Sequence, residues 1–101
     1  MSDLRILYST FPNEKAAQIV ADKVVDLRLA ACVNLFPLLS STYLWKGKRQ
    51  RDKEVVFFAK THKKNISKLK KKVESLHPYE CPCLIVFKSS QVNKAYLQWI
   101  K

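Results

Sequence analysis

The sequence predicts one α+β domain that runs β-α-β-β-α-β and ends in a short helix, and three observations predict it. Two stretches carry apolar residues at helical spacing and alternate with extended runs rich in β-formers. The only glycine, Gly47, falls between the two longest extended runs, where a hairpin turn belongs. Those two runs are apolar on both alternating parities, so the sheet they build needs cover on both faces.

Each element has its own signal. Leu4–Ser9 reads as a short first strand centred on Ile6, Leu7 and Tyr8, with Phe11-Pro12 as punctuation. Asn13 is a helix N-cap, and Glu14 suits the positive end of the helix behind it. Ala17, Val20, Ala21, Val24 and Leu27 then give an apolar stripe over Glu14–Arg28. Ala31–Trp45 reads as extended and is interrupted at Pro37, which cannot donate to a ladder and so marks a bulge or an edge. Lys46-Gly47-Lys48 is the hairpin turn, and the returning strand covers Glu54–Lys60 around Val55, Val56, Phe57 and Phe58. Thr61 is positioned to cap a second helix over Lys63–Leu76, with Ile66, Leu69, Val73 and Leu76 as its stripe, stopped by His77-Pro78. Cys83–Phe87 is the fourth strand. Asn93 caps a terminal helix that carries Ala95, Tyr96, Trp99 and Ile100.

This order is the split βαβ, ferredoxin-like arrangement, with helices on one face of a four-stranded antiparallel sheet. The other face should meet water and alternate apolar with polar residues. Asn34-Leu35-Phe36-Pro37-Leu38-Leu39 and Val55-Val56-Phe57-Phe58 do not alternate. A second copy of the chain, in a closed ring, would cover that face; a bent strand folding over its own sheet is the other solution.

The 101 residues, 48% hydrophobic and 27% charged, suit one globular core, with neither linker nor repeat. Nineteen Lys and Arg against eight Asp and Glu leave +11, concentrated in Lys46–Lys53 and Lys60–Lys72. Such a field favours anionic partners, or it is a solvated lysine surface; both readings stay open. The start has no apolar run long enough for a signal segment, and no stretch of about 18 apolar residues could span a bilayer. A cytoplasmic protein without a membrane partner is therefore expected. Three cysteines, Cys32, Cys81 and Cys83, are too few for a disulfide scaffold and are expected as reduced thiols.

The densest reactive cluster is His77-Pro78-Tyr79-Glu80-Cys81-Pro82-Cys83. In extended backbone Cys81 and Cys83 point to one side, and two soft thiolates with the His77 nitrogen suit Cu(I) or Zn(II). A closed four-ligand site would need His62, Cys32 or another subunit. The plainer alternative is two small thiols lining a strand, with His77 ending a helix. Tyr43, Trp45, Lys60, Tyr79 and Trp99, with Glu54 and His77, are candidates for an interfacial cleft, or simply for interface packing. One glycine rules out a glycine-rich phosphate cradle. No Ser-His-Asp or Cys-His arrangement has local support, so no enzyme is expected. The strands lack the glycine and open aromatics of an RNA-recognition domain, so sequence-specific nucleic-acid readout is not expected either.

From Ile6 to Lys101 the chain resembles the CutA divalent-cation tolerance proteins. The resemblance rests on Ser9-Thr10-Phe11-Pro12-Asn13-Glu14, Leu29-Ala30-Ala31-Cys32-Val33-Asn34, Tyr43-Leu44-Trp45-Lys46-Gly47, Glu54, Lys60-Thr61, His77-Pro78-Tyr79-Glu80 and Ala95-Tyr96-Leu97-Gln98-Trp99-Ile100, in that order and spacing. It implies a ferredoxin-like fold assembled as a very stable homotrimer whose long hairpins wrap neighbouring subunits. It also implies a role in tolerance of copper and other divalent ions, and an assembly similar to the trimeric PII signalling proteins. Where copper ligands are described for the family, they are a cysteine in the first strand and two adjacent histidines before Pro-Tyr. Here Ser9 and Leu76 stand at two of those positions, and His77 remains. Cys83 replaces the family's usual Glu, and Ser89-Ser90-Gln91-Val92-Asn93-Lys94 lacks its usual glycine.

The expectation is thus a non-enzymatic homotrimer of divalent metal-ion tolerance or sensing, with copper or zinc at His77, Cys81 and Cys83. The alternatives are a PII-like binder of small anionic ligands at subunit clefts, or a basic polyanion-binding scaffold.

Overall fold

A computed structural model describes residues 2–101. Its elements are β1 (Leu4–Phe11), α1 (Glu14–Asp26), β2 (Cys32–Trp45), β3 (Lys48–His62), α2 (Ile66–Leu76), β4 (Ile85–Lys88) and α3 (Lys94–Ile100). The four strands form one antiparallel sheet in the order β2-β3-β1-β4. The split βαβ places β3 between β1 and β2, as the sequence predicts.

Strand alternation sorts the two faces. Leu7, Ser9 and Phe11 of β1 stand opposite Ala59, Phe57 and Val55 of β3 in the ladder, and all six are buried under the helices. Ala17, Val20, Ala21 and Val24 of α1 and Leu69 and Val73 of α2 close that core. The opposite face presents Tyr8, Phe58 and Phe87, whose rings meet at 5.5 Å (Tyr8–Phe58) and 6.3 Å (Tyr8–Phe87). Phe36, Ile85 and Phe87 are exposed there. The chain's own hairpin does not fold back over this face, which removes the bent-strand alternative. The hairpin instead runs on in register out to Trp45 opposite Lys48, giving a molecule 45 Å in its longest dimension.

Local chemistry explains the element ends. Asn13 caps α1 as expected, its side chain accepting from the Ala16 N–H at 2.8 Å. The helix ends at Asp26, two residues before the predicted Arg28, because Arg28 turns left-handed (φ 61°). Pro37 does mark a bulge: the β2–β3 register shifts between Phe36 and Leu39, and Leu38 sits at φ 65°. Gly47 takes φ 77° at the hairpin turn.

Three expectations need correction. Thr61 is not a helix cap; it belongs to β3, and its hydroxyl donates to the Leu29 carbonyl at 2.7 Å. The Leu29 carbonyl on the β2 approach takes the hydroxyl instead of the helix end, and α2 begins at Ile66 with no side-chain cap from its N-cap Asn65. β3 starts at Lys48 rather than Glu54, because pairing with β2 holds its charged first half extended. β4 spans Ile85–Lys88 rather than Cys83–Phe87, because its ladder with β1 runs only from Ile85 opposite Tyr8 to Lys88 opposite Arg5.

Candidate functional site

An open cleft of about 610 Å3 lies where the base of the hairpin meets the segment between α2 and β4. It is lined by Thr10, Tyr43, Trp45, Gln50, Asp52, Glu54, Tyr79, Glu80, Cys81 and Cys83. Period-two alternation builds its charge. Along β3, Gln50, Asp52 and Glu54 share the cleft side, while Arg49, Arg51 and Lys53 point to the opposite face. Tyr43 and Trp45 of β2 stand opposite Gln50 and Lys48 in the ladder and join the cleft from the neighbouring strand. The segment between α2 and β4 bends through residues 78–81, which brings Tyr79, Glu80, Cys81 and Cys83 to the same place.

Two tyrosines hold two carboxylates. The Tyr79 hydroxyl donates to Glu54 Oε2 at 2.7 Å, and the Tyr43 hydroxyl donates to Asp52 Oδ2. Burial, and then its bond to the Glu54 carboxylate, push the Tyr79 hydroxyl far above the ordinary tyrosine range. Burial also raises the Cys83 thiol, with the Glu54 charge adding to it, so Cys83 is a neutral thiol at pH 7.

His77 stands behind this cleft, not in it. Its ring stacks on Phe11 with centroids 4.2 Å apart. Nδ1 accepts the Tyr79 N–H at 3.1 Å, so the proton is on Nε2, which donates to the Thr10 carbonyl at 2.9 Å. The Ser9 hydroxyl lies 3.2 Å from the same Nε2. Burial lowers the His77 pKa, outweighing the Thr10 carbonyl and the Glu54 charge, which favour the imidazolium. Both ring nitrogens are thus used to fix the segment after α2, and neither is free for a metal.

The sequence-named groups therefore divide. Tyr43, Trp45, Glu54, Tyr79, Cys81 and Cys83 come together. His77 does not join Cys81 and Cys83 as a ligand set. Among the described residues no three His, Cys, Asp or Glu side chains stand close enough to hold a metal within one chain. Ser9 and His77 do meet, but a buried hydroxyl replaces the thiolate and the imidazole is committed, so the copper set described for the resembling family does not fit this chain. Cys32 and His62, the other donors considered, lie toward the far end of the sheet, Cys32 opposite Lys60 and His62 opposite Leu4. Lys60 is also outside the cleft, its Nζ 5.3 Å from the Tyr96 ring centroid. Trp99 borders a separate depression with Arg28, Lys64 and Lys101. Sequence reasoning did not single out Thr10, Gln50 or Asp52, and met Glu80 only within the cluster from His77 to Cys83. The signal for two of them was present: Gln50, Asp52 and Glu54 alternate with Arg51 and Lys53, as one face of a strand requires.

A family model, CutA1 divalent ion tolerance protein, matches residues 5–101. The chain belongs to the CutA1 family. It is 46% identical over 94 residues to human Protein CutA, covering 93% of this chain and 52% of that protein, so it spans about half the length of this relative. It is 38% identical over 96 residues to the divalent-cation tolerance protein CutA of Thermus thermophilus, covering 95% of this chain and 93% of that one. The crystal structure of CutA from Xylella fastidiosa superposes with a TM-score of 0.95 at 35% identity, over 98% of this chain and 95% of that one. The α+β fold with a four-stranded antiparallel sheet and three helices is that of the CutA1 structures.

Proposed function

We propose that this chain is a non-enzymatic, cytoplasmic, homotrimeric protein of metal tolerance that binds a divalent or soft monovalent cation in the acidic cleft. One observation carries the reading. Nineteen of 101 residues are Lys or Arg, yet none of the ten cleft residues is, while three of the eight acids (Asp52, Glu54 and Glu80) line it. An anionic ligand would meet those carboxylates with no cation to balance them, which weighs against the PII-like alternative. Cys81 and Cys83 add soft donors that suit Zn(II) or Cu(I), and a reducing compartment keeps them as thiols. Because the donors of one chain do not close around an ion, the trimer completes the coordination by bringing a second copy to the open sheet face. The apolar residues exposed on that face support the assembly.

The test is titration of the reduced protein with Zn(II) and Cu(I), comparing wild type with Glu54→Gln and with the Cys81→Ser, Cys83→Ser double variant. Affinity should fall at least tenfold in both, with release of thiol protons on binding in the wild type. Unchanged affinity in both variants overturns the reading.

A further inference from the structure

The cleft is far larger than an ion and is walled by aromatic rings, and neither feature is explained by metal coordination. In the single chain its volume of about 610 Å3 lies within the range of small-molecule sites. Tyr43, Trp45 and Tyr79 supply three ring faces, and Asp52, Glu54 and Glu80 supply three carboxylates. Rings attract cations through their negative faces, and they favour organic ammonium groups, which give up water more readily than small metal ions.

We propose that the cleft is a binding site for a small aliphatic diamine or polyamine in its protonated form. The two β3 carboxylates fit such a ligand. Asp52 and Glu54 are two residues apart on one strand face, about 6.7 Å along the strand, a separation that a short methylene spacer bridges between two ammonium groups. Each carboxylate spends one oxygen on a tyrosine hydroxyl, Oδ2 of Asp52 on Tyr43 and Oε2 of Glu54 on Tyr79. Oδ1 and Oε1 have no hydrogen-bond donor among the described residues, which leaves them for the ammonium groups. The same two hydroxyl bonds pin the rings beside the carboxylates, so the apolar wall and the charged floor are arranged before a ligand arrives. The spacer lies against the Trp45, Tyr43 and Tyr79 rings. The overall charge of +11 repels cations from the rest of the surface, so binding is confined to this cleft.

The proposal shares the carboxylates of the metal reading but uses the aromatic wall, whereas the metal reading uses the thiols. The two therefore fail separately. The probe is 1,4-diaminobutane, titrated calorimetrically into the full-length assembled protein, with butylamine as the single-charge control and Zn(II) in a parallel arm. Diaminobutane should bind saturably, and butylamine at least tenfold more weakly. Trp45→Leu should weaken diaminobutane about tenfold, and Trp45→Phe should restore it by returning a ring face. The Cys81→Ser, Cys83→Ser variant should bind diaminobutane as the wild type does while losing Zn(II). Sedimentation and circular dichroism of each variant verify that fold and assembly are retained. Absence of saturable diamine binding overturns the proposal, as does a Trp45→Leu variant that binds as well as wild type. Butylamine binding as tightly as the diamine also overturns it. Loss of the Zn(II) arm alone sinks only the metal reading.

Discussion

Replacing Phe87 with glutamate should dissociate the protein, because Phe87 belongs to an apolar sheet face that one chain leaves bare. Phe36, Phe58 and Phe87 keep 67%, 37% and 48% of their surface exposed. A phenylalanine presents about 200 Å2, so these three rings leave roughly 300 Å2 bare. At about 25 cal/mol per Å2 their full cover contributes roughly 7 kcal/mol per chain. That is within the range, about 4 to 15 kcal/mol, that association costs in lost freedom, before Ile85 is counted. Phe87 alone accounts for about 95 Å2, or roughly 2 kcal/mol per chain. Glutamate there forfeits this and also places a charge in an apolar contact, so the association constant should fall by more than about a hundredfold. Sedimentation velocity at micromolar concentration checks it. Wild type should sediment at three times 11.7 kDa and Phe87→Glu at a smaller mass, with the far-UV spectrum of α1 and α2 retained. A wild type that is monomeric and well folded refutes the reasoning, and so does a Phe87→Glu variant that keeps the wild-type mass.

Three further outcomes follow from the site and the hairpin. Because burial depresses the His77 pKa below its unfolded value of 6.5, the unfolded chain binds the extra proton first. Stability is therefore complete above about pH 6.5 and declines as the pH falls through and below it, and denaturant melts from pH 8 to 5 should show a steeper loss in wild type than in His77→Gln. Burial and the Glu54 charge hold the Cys83 thiol protonated, so in a Cys81→Ser background iodoacetamide should modify it slowly at pH 7. Glu54→Gln should speed that modification severalfold; an unchanged rate would show that Glu54 does not act on it. At Gly47 an added Cβ meets nothing within 4 Å, so only the positive φ penalises a side chain. Gly47→Val should cost about 1 to 2 kcal/mol in chemical denaturation, and Gly47→Asn clearly less.

The parts of the fold that were legible in the sequence are those where one periodicity dominates. Ala17, Val20, Ala21 and Val24 announce α1 because nothing competes with the 3.6-residue stripe, and Asn13 meets no rival for its cap. The first half of β3 was illegible because Lys48, Arg49, Gln50, Arg51, Asp52 and Lys53 carry no apolar alternation; they are held extended by their β2 partners, a long-range cause. Thr61 failed as a cap for the same kind of reason, since its partner, the Leu29 carbonyl, is 32 residues away in the chain. Aromatic and sulfur groups of the cleft were found from residue type, whereas within one chain Lys60 lies away from it. It shares a sheet face with Glu54, yet six residues of strand put it about 20 Å away. His77 shows the limit most clearly: the residue type says ligand, and only the placement of Thr10, Ser9 and Tyr79 around the ring says brace.

The acidic cleft and the bare apolar surface are on the same side of one sheet, so the proposed cation binding and the proposed assembly should be coupled. On β3 that side runs from Gln50, Asp52 and Glu54 at the hairpin to Val56 and Phe58 over the body of the sheet, with one residue type giving way to the other along a single strand. A second copy that covers Phe58 and Phe87 must therefore come close to Glu54 and remove water from around it. Two unbalanced carboxylates in a partly dry cleft repel each other, and a bound cation relieves that repulsion. Linkage then requires reciprocity: whatever cation the cleft holds should tighten the assembly by the same factor by which assembly tightens its binding. Neutralising Glu54 as glutamine should consequently weaken the dependence of self-association on added Zn(II).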